Sequence, residues 1–211
     1  MLTLQQARAW YTDEDPVHDF SHIERVYRLA EKIAVAEGAD LEIVRTAALL
    51  HDVEGSLSGS EDRANHHEFS SEFAARILAG EGWSPERIRA VQHCIRAHRF
   101  RGNGENPATP EAKVLFDADK LDVLGAIGVA RTMGYAAMSH QPFYVQPSQT
   151  FLDTGKEEPG EPHSSYHEFL FKLSKIRDRL YTASARKIAE DRHRYISEYY
   201  ERLAAETRGE A

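Results

Sequence analysis

Residues 47–56, AALLHDVEGS, decide how the chain is read. An apolar run of helical character ends in His51 and Asp52, where a core helix ordinarily carries aliphatic side chains. Ala47 and Ala48 precede His51 by four and three residues, spacings that share one helix face, so His51 is expected to point inward. Asp52 is turned by about 100° from it, near enough for the two side chains to converge on one ion at the helix end.

Helical periodicity continues on both sides of this run, with no strand alternation and no internal repeat. Thr3 with Gln6 has capping-box spacing before a short first helix, and Ser21 with Glu24 repeats it before a second helix that Gly38 ends. Asp40 is the expected cap of a third helix from 41 to about 53, and Ser84 with Pro85 opens another that runs to about His98. Between them, EFSSEFAARILAGEG is amphipathic and closed by glycine. The run EAKVLFDADKLDVLGAIGVARTMGYAAM reads as one long helix whose glycines mark close packing or a break. Residues 139–162 read as a long loop or lid, and helices over about 165–181 and 183–206 follow, with Thr182 capping the second. The expected class is all-α: a single domain over 1–211, its core at about 16–135 and its additional C-terminal helices at about 165–206.

Composition sets the outer limits. The 211 residues are 41% hydrophobic and 28% charged, enough to bury a core. A formal charge of −8 leaves no broad basic face for a nucleic-acid backbone, so nucleic acid is not an expected partner. The sole cysteine, Cys94, excludes an internal disulfide. Residues 1–10 lack the apolar core of a secretory signal, and no run approaches the roughly 20 apolar residues of a membrane span. A cytoplasmic protein with no membrane partner is expected.

The polar residues then suggest chemistry. His22 shares a stripe with Val26, Leu29 and Ile33, which makes it a second inward histidine on a neighbouring helix. Asp117, Asp119 and Asp122 of FDADKLD interrupt a third apolar helix beside Lys120, and carboxylates in apolar surroundings need cations or hydrogen bonds. A lone inward histidine is usually a satisfied core residue. Joint occurrence on three helices is what points to a divalent cation such as Mn, Mg, Co, Ni, Fe or Zn.

The stretches HDFSHIERVYRLA, ALLHDVEG and DADKLDVLGAIGVAR resemble the H…HD…D signature of the HD-domain metal-dependent phosphohydrolases. Through HCIRAHRF and the late FLFKLSKIRDRLYTASARKIAEDRHRYI, the resemblance extends to the small bacterial YpgQ/YedJ-like subgroup, over roughly residues 16–200. It implies a compact HD-domain helical bundle. It also implies His22, His51, Asp52 and Asp119 as ligands of one divalent ion, with Asp119 preferred because it precedes the lysine at the family's distal position. Lys120 would face substrate phosphate, with a plain surface lysine as the alternative, and His98 would line the substrate pocket; His18, four residues before His22, is either a pocket-wall residue or one that orients a ligand. Asp117 and Asp122 would orient ligands or helix ends. His67 with His98 would complete a second metal site if two ions bind.

In the resulting reaction His51 and Asp52 are central to catalysis. Glu54, one turn beyond His51, is either a proton-transfer group or a solvated acid. His140, His163, His167 and His193 read as loop or solvated residues, while Phe143, Tyr144, Phe151 and Tyr166 either stack on a base or pack the loop. The implied partner is a small-molecule phosphate ester, a nucleotide by subgroup resemblance and specifically a deoxynucleoside triphosphate. Rival readings are another HD phosphohydrolase activity on a nucleoside monophosphate, cyclic nucleotide or alarmone, a di-iron HD oxygenase, and a non-catalytic metal or nucleotide sensor. A homodimer is open, through the apolar helix after Lys120.

Overall fold

Helix α3, Leu41–Leu50, is the element around which its neighbours gather, because Ile43, Val44, Ala47, Ala48, Leu49 and Leu50 are all buried and leave it apolar around most of its circumference. The structure is a computed structural model and describes residues 2–12, 19–53, 65–99 and 104–211. Among them ten α-helices and no strand are found, so the fold is all-α. The described residues form two compact units, one running to Lys120 with Leu180–Ala185, the other Leu121–Arg179 with Arg186–Ala211.

In the first unit α1 (Leu4–Arg8), α2 (Phe20–Glu37), α4 (His66–Gly80) and α5 (Pro85–Ala97) all pack on α3, and α4 lies along α5. Helix α6 (Pro110–Leu121) completes the unit. Start signals are honoured at most of these ends. Thr3 and Gln6 form the capping box of α1, the Asp40 carboxylate accepts from the Glu42 and Ile43 amides (2.9 and 3.1 Å), and Ser84 caps α5 ahead of Pro85. Gly38 ends α2 in the left-handed region (φ 70°).

Two ends differ from expectation. The cap of α2 is Asp19, which accepts from the Ser21 amide at 3.1 Å, so the Ser21–Glu24 box does not form. Helix α3 stops at Leu50 rather than near 53, and His51 and Asp52 belong to the turn that closes it.

The long helical run after residue 110 is two helices, α6 and α7 (Gly125–Met138), because Gly125 adopts φ 69° and breaks it. Gly128 supplies the close approach: a Cβ there would meet the Val123 carbonyl oxygen at 2.2 Å. In the second unit α7 packs on α9 (Ser165–Phe171), which ends sooner than expected and continues as two 3-10 turns, Leu173–Lys175 and Arg177–Arg179. Helix α10 (Ala183–Thr207) closes the chain, and the Thr182 hydroxyl accepts from the Ala185 amide as its cap.

Residues 139–162 are not a structureless loop. They contain α8 (Gln149–Thr154) and are organised by the Glu161 carboxylate, which takes the Ser148 amide (2.7 Å), the Ser148 hydroxyl (2.6 Å), the Glu158 amide (2.8 Å) and His167 Nε2 (3.0 Å). His167 is therefore fully buried rather than solvated, its Nδ1 at 2.7 Å from the Ser164 hydroxyl. Phe151 packs edge-on against its ring (4.4 Å) and Tyr144 lies 5.0 Å from Tyr166, so these aromatics hold the segment down.

Asp117 shows how a buried carboxylate can serve the fold. It accepts from the Tyr181 amide (2.9 Å), the Thr182 amide (2.7 Å) and the Thr182 hydroxyl (2.6 Å), and so moors residues 180–185 to α6. Replacing it by alanine strands three donors, two of them buried. At about 1–3 kcal/mol for a buried group left unsatisfied, Asp117→Ala should lose at least about 2 kcal/mol in urea unfolding. Leu49→Ala, which opens a cavity in the central helix, should cost about 2–5 kcal/mol by the same measurement.

Candidate metal centre

Each candidate ligand stands at or beside a helix end. His22 lies in the first turn of α2, His51 and Asp52 close α3, His66 opens α4, His98 follows α5, and Asp119 is in the last turn of α6. The C-terminal ends of helices carry partial negative charge and unpaired carbonyls. Three of them, α3, α5 and α6, thus bring a field that favours a cation.

The same carbonyls set the histidine tautomers. His51 Nδ1 donates to the Ala48 carbonyl at 2.9 Å, and His98 Nδ1 donates to the Ile95 carbonyl at 2.5 Å, each reaching back three residues. With the His51 proton committed to Nδ1 and its ring neutral, its Nε2 is left as a lone pair facing inward.

His22, His51 and Asp119 present ligand atoms all within 4.8 Å of one another. His22 Nε2 is 3.4 Å from Asp119 Oδ1 and 3.8 Å from Asp52 Oδ2, and His51 Nε2 is 3.6 Å from that same Asp52 oxygen. The expected four therefore meet at one place. Asp52 turns its other oxygen to a second group: Oδ1 is 3.4 Å from His66 Nε2 and 3.4 Å from His98 Nε2, and the two imidazole nitrogens are 3.2 Å apart. Asp52, His66 and His98 likewise offer ligand atoms within 4.8 Å of one another. His66, which sequence reasoning left without a role, takes the place expected for His67. The His67 ring instead faces Glu68 at 3.7 Å.

The donor set fits a divalent ion. His51 Nε2 is buried and has no hydrogen-bond partner among the described residues, a state that costs free energy unless something accepts its lone pair. Separations near 3.4 Å suit ligands held about 2.1 Å from one centre at tetrahedral angles. Burial, with the neighbouring histidines, drives the His51 pKa down to about 4 against the pull of Asp52 and Asp119, so the ring is neutral at physiological pH. Burial opposes ionisation of Asp52, but His51, His66 and His98 hold its carboxyl well below the usual range; at Asp119 burial is overcome in the same way, by Lys120 and His22. A neutral His51 ring and ionised carboxylates at Asp52 and Asp119 are protonation states that metal binding requires.

The remaining residues divide clearly. Lys120 Nζ donates to Asp119 Oδ2 at 2.6 Å and lies 5.4 Å from the Phe116 ring centre, largely buried, which excludes a freely solvated lysine. Asp122 pairs with Arg131 at 2.7 Å in the second unit. His93 is held by Glu105 at 2.5 Å and accepts the Ala108 amide. His18 and Glu54 lie outside the described residues.

A description of the HD domain matches residues 19–124, half of the chain, and the chain belongs to that family. It is an HD-superfamily metal-dependent phosphohydrolase. At the level of individual relatives, it is 32% identical to YpgQ of Bacillus subtilis over 97% of this chain and 94% of that protein. The crystal structure of YpgQ in complex with ADP superposes with a TM-score of 0.74, covering 99% of this chain and all of that one. An HD-superfamily hydrolase of Bacillus thuringiensis is 31% identical with a TM-score of 0.66, over 90% of this chain and 87% of its own. A predicted HD-superfamily hydrolase from an uncultured Thermotogales bacterium is 30% identical with a TM-score of 0.64, over 96% and 90%. No helix among the described residues is long and apolar enough to cross a membrane.

Two outcomes are expected. Purified His51→Ala and Asp119→Ala should lose most of the divalent metal measured by elemental analysis, whereas Asp117→Ala that remains folded should keep it. The second concerns acid. His51 and His67 are held at about 4, below the ordinary 6.5, so the unfolded chain binds protons that the fold refuses. Their contribution to stability is complete above about pH 6.5 and is lost as pH falls towards 4. The melting temperature of metal-free protein should accordingly fall across that window, and a flat profile would contradict the neutral, buried state of these rings.

Proposed function

We propose that the chain hydrolyses a nucleotide, and specifically that it cleaves a deoxynucleoside triphosphate to the monophosphate and pyrophosphate. The observation that carries this reading is the convergence of His22, His51, Asp52 and Asp119 at one point in a chain that matches, over its whole length, a protein solved with ADP. When bound, a divalent ion supplies Lewis acidity towards phosphate and acidifies water to near neutral pH.

The chain's own residues do the rest. His51 and Asp52 present donors from the turn that closes a packed helix, and the burial of that helix fixes where the turn stands. Lys120 keeps one oxygen of Asp119 occupied and leaves the other facing His22, and its ammonium is a compact cation suited to a phosphate oxygen. His98 borders the same space, its ring 5.0 Å from that of His51. In the balanced reaction a water oxygen attacks the α-phosphorus, the bond to the bridging α–β oxygen breaks, pyrophosphate leaves, and the water proton passes to a carboxylate. Glu54, two residues after Asp52, is proposed for that role, and His18 for the pocket wall.

A second reading of the metal content is favoured by one observation: Asp52 offers Oδ2 to His22 and His51 and Oδ1 to His66 and His98. A carboxylate placed this way can bridge two ions. Metal counting on protein loaded with manganese or iron separates one ion per chain from two, and oxygen uptake by the iron form would favour the oxygenase rival.

The substrate claim is tested by incubating manganese-loaded protein with deoxynucleoside and ribonucleoside triphosphates, diphosphates, monophosphates and cyclic nucleotides, with products identified by phosphorus NMR. Monophosphate and pyrophosphate in equal amounts from a deoxynucleoside triphosphate are expected. No turnover of any deoxynucleoside triphosphate, or release of orthophosphate alone, would overturn the claim.

A further inference from the structure

Tyr11 belongs to no motif, yet its side chain reaches the turn that carries His51 and Asp52. The hydroxyl donates to the Leu49 carbonyl at 2.9 Å, across 38 residues of sequence. The phenol oxygen therefore holds the last turn of α3 two residues before His51 and three before Asp52. The Leu49 carbonyl is one of those that a helix leaves without an onward partner. Its neighbour, the Ala48 carbonyl, is taken by the His51 ring. Side chains thus fill both positions, one of them from outside the helix.

The tyrosine is itself held in place. Its ring lies 5.3 Å from that of Phe20, the first residue of the helix that supplies His22. Arg8 donates to the Tyr11 carbonyl at 2.8 Å while its guanidinium lies 5.4 Å from the Phe20 ring centre. Trp10 anchors the segment edge-on against Phe73 of α4 at 5.5 Å.

We propose that Tyr11 is a positioning residue of the metal centre, its hydroxyl clamping the closing turn of α3 so that His51 and Asp52 present their ligand atoms in a fixed direction. The proposal rests on the reading of those two residues as divalent-metal ligands. It assigns Tyr11 no contact with substrate. Groups that orient ligands from behind commonly change metal affinity by about 10–100-fold when removed.

The test compares cobalt(II) binding to the full chain in three forms: wild type, Tyr11→Phe, which keeps the ring and deletes the hydroxyl, and Trp10→Phe, which loosens the same segment without touching the turn. Affinity is titrated by the visible absorption of bound cobalt, and melting of the metal-free proteins checks that each variant is folded. Tyr11→Phe should bind cobalt at least about tenfold more weakly, with shifted or weakened absorption bands, while Trp10→Phe keeps the wild-type spectrum and affinity even though it melts lower. An unchanged spectrum and affinity in Tyr11→Phe would overturn the proposal, and so would an equal change in Trp10→Phe, because general loosening would then account for both. If wild type itself binds no cobalt, the metal reading fails and the proposal with it. That outcome is distinguishable from the other two, in which wild type binds and only the comparison between variants fails.

Discussion

The hydrogen bond from His51 Nδ1 to the Ala48 carbonyl is the constraint on which the centre depends. A helix end has carbonyls to spare, and a histidine placed at that end can spend one ring proton on them. Doing so settles which nitrogen keeps its lone pair and points it away from the helix, towards His22 and Asp52. His98 repeats the arrangement at the end of α5. The rest of the first unit supports this: α3 is buried nearly all round, so the end of the helix, and the direction of the nitrogen, do not wander.

The three aspartates of FDADKLD show how position on one helix separates tasks that look alike in sequence. Asp117 faces three donors from residues 181 and 182 and acts as a mooring for the backbone. Asp119, two residues on, faces His22 on one side and Lys120 on the other. Asp122, just past the end of α6, belongs to Arg131. Three carboxylates are tolerated here because each meets a different kind of partner. Removing a partner would expose a buried charge, whereas removing the carboxylate would expose the partner instead.

Much of this was legible in the sequence, for local reasons. Helix starts at Thr3, Asp40 and Ser84 are decided within four residues, and the inward direction of His22 and His51 follows from helical spacing. What sequence did not show depended on contacts distant along the chain. His66 and His67 are adjacent, and only the packing of α4 against α5 decides which of them meets His98. Tyr11 is joined to Leu49 by a single bond across 38 residues, with no period or motif to announce it. The order within residues 139–162 comes from one carboxylate, Glu161, gathering donors from Ser148, Glu158 and His167, a pattern invisible to hydrophobic periodicity.

Placing the proposed ligands at helix termini also has an evolutionary consequence. His51 and Asp52 follow the end of α3 and His98 follows the end of α5, so each stands where a helix end puts it and not where the following connection leads. Surface connections tolerate insertion and change at small thermodynamic cost. A lineage can therefore change the connections between helices while the donors that the helix ends present are inherited unaltered.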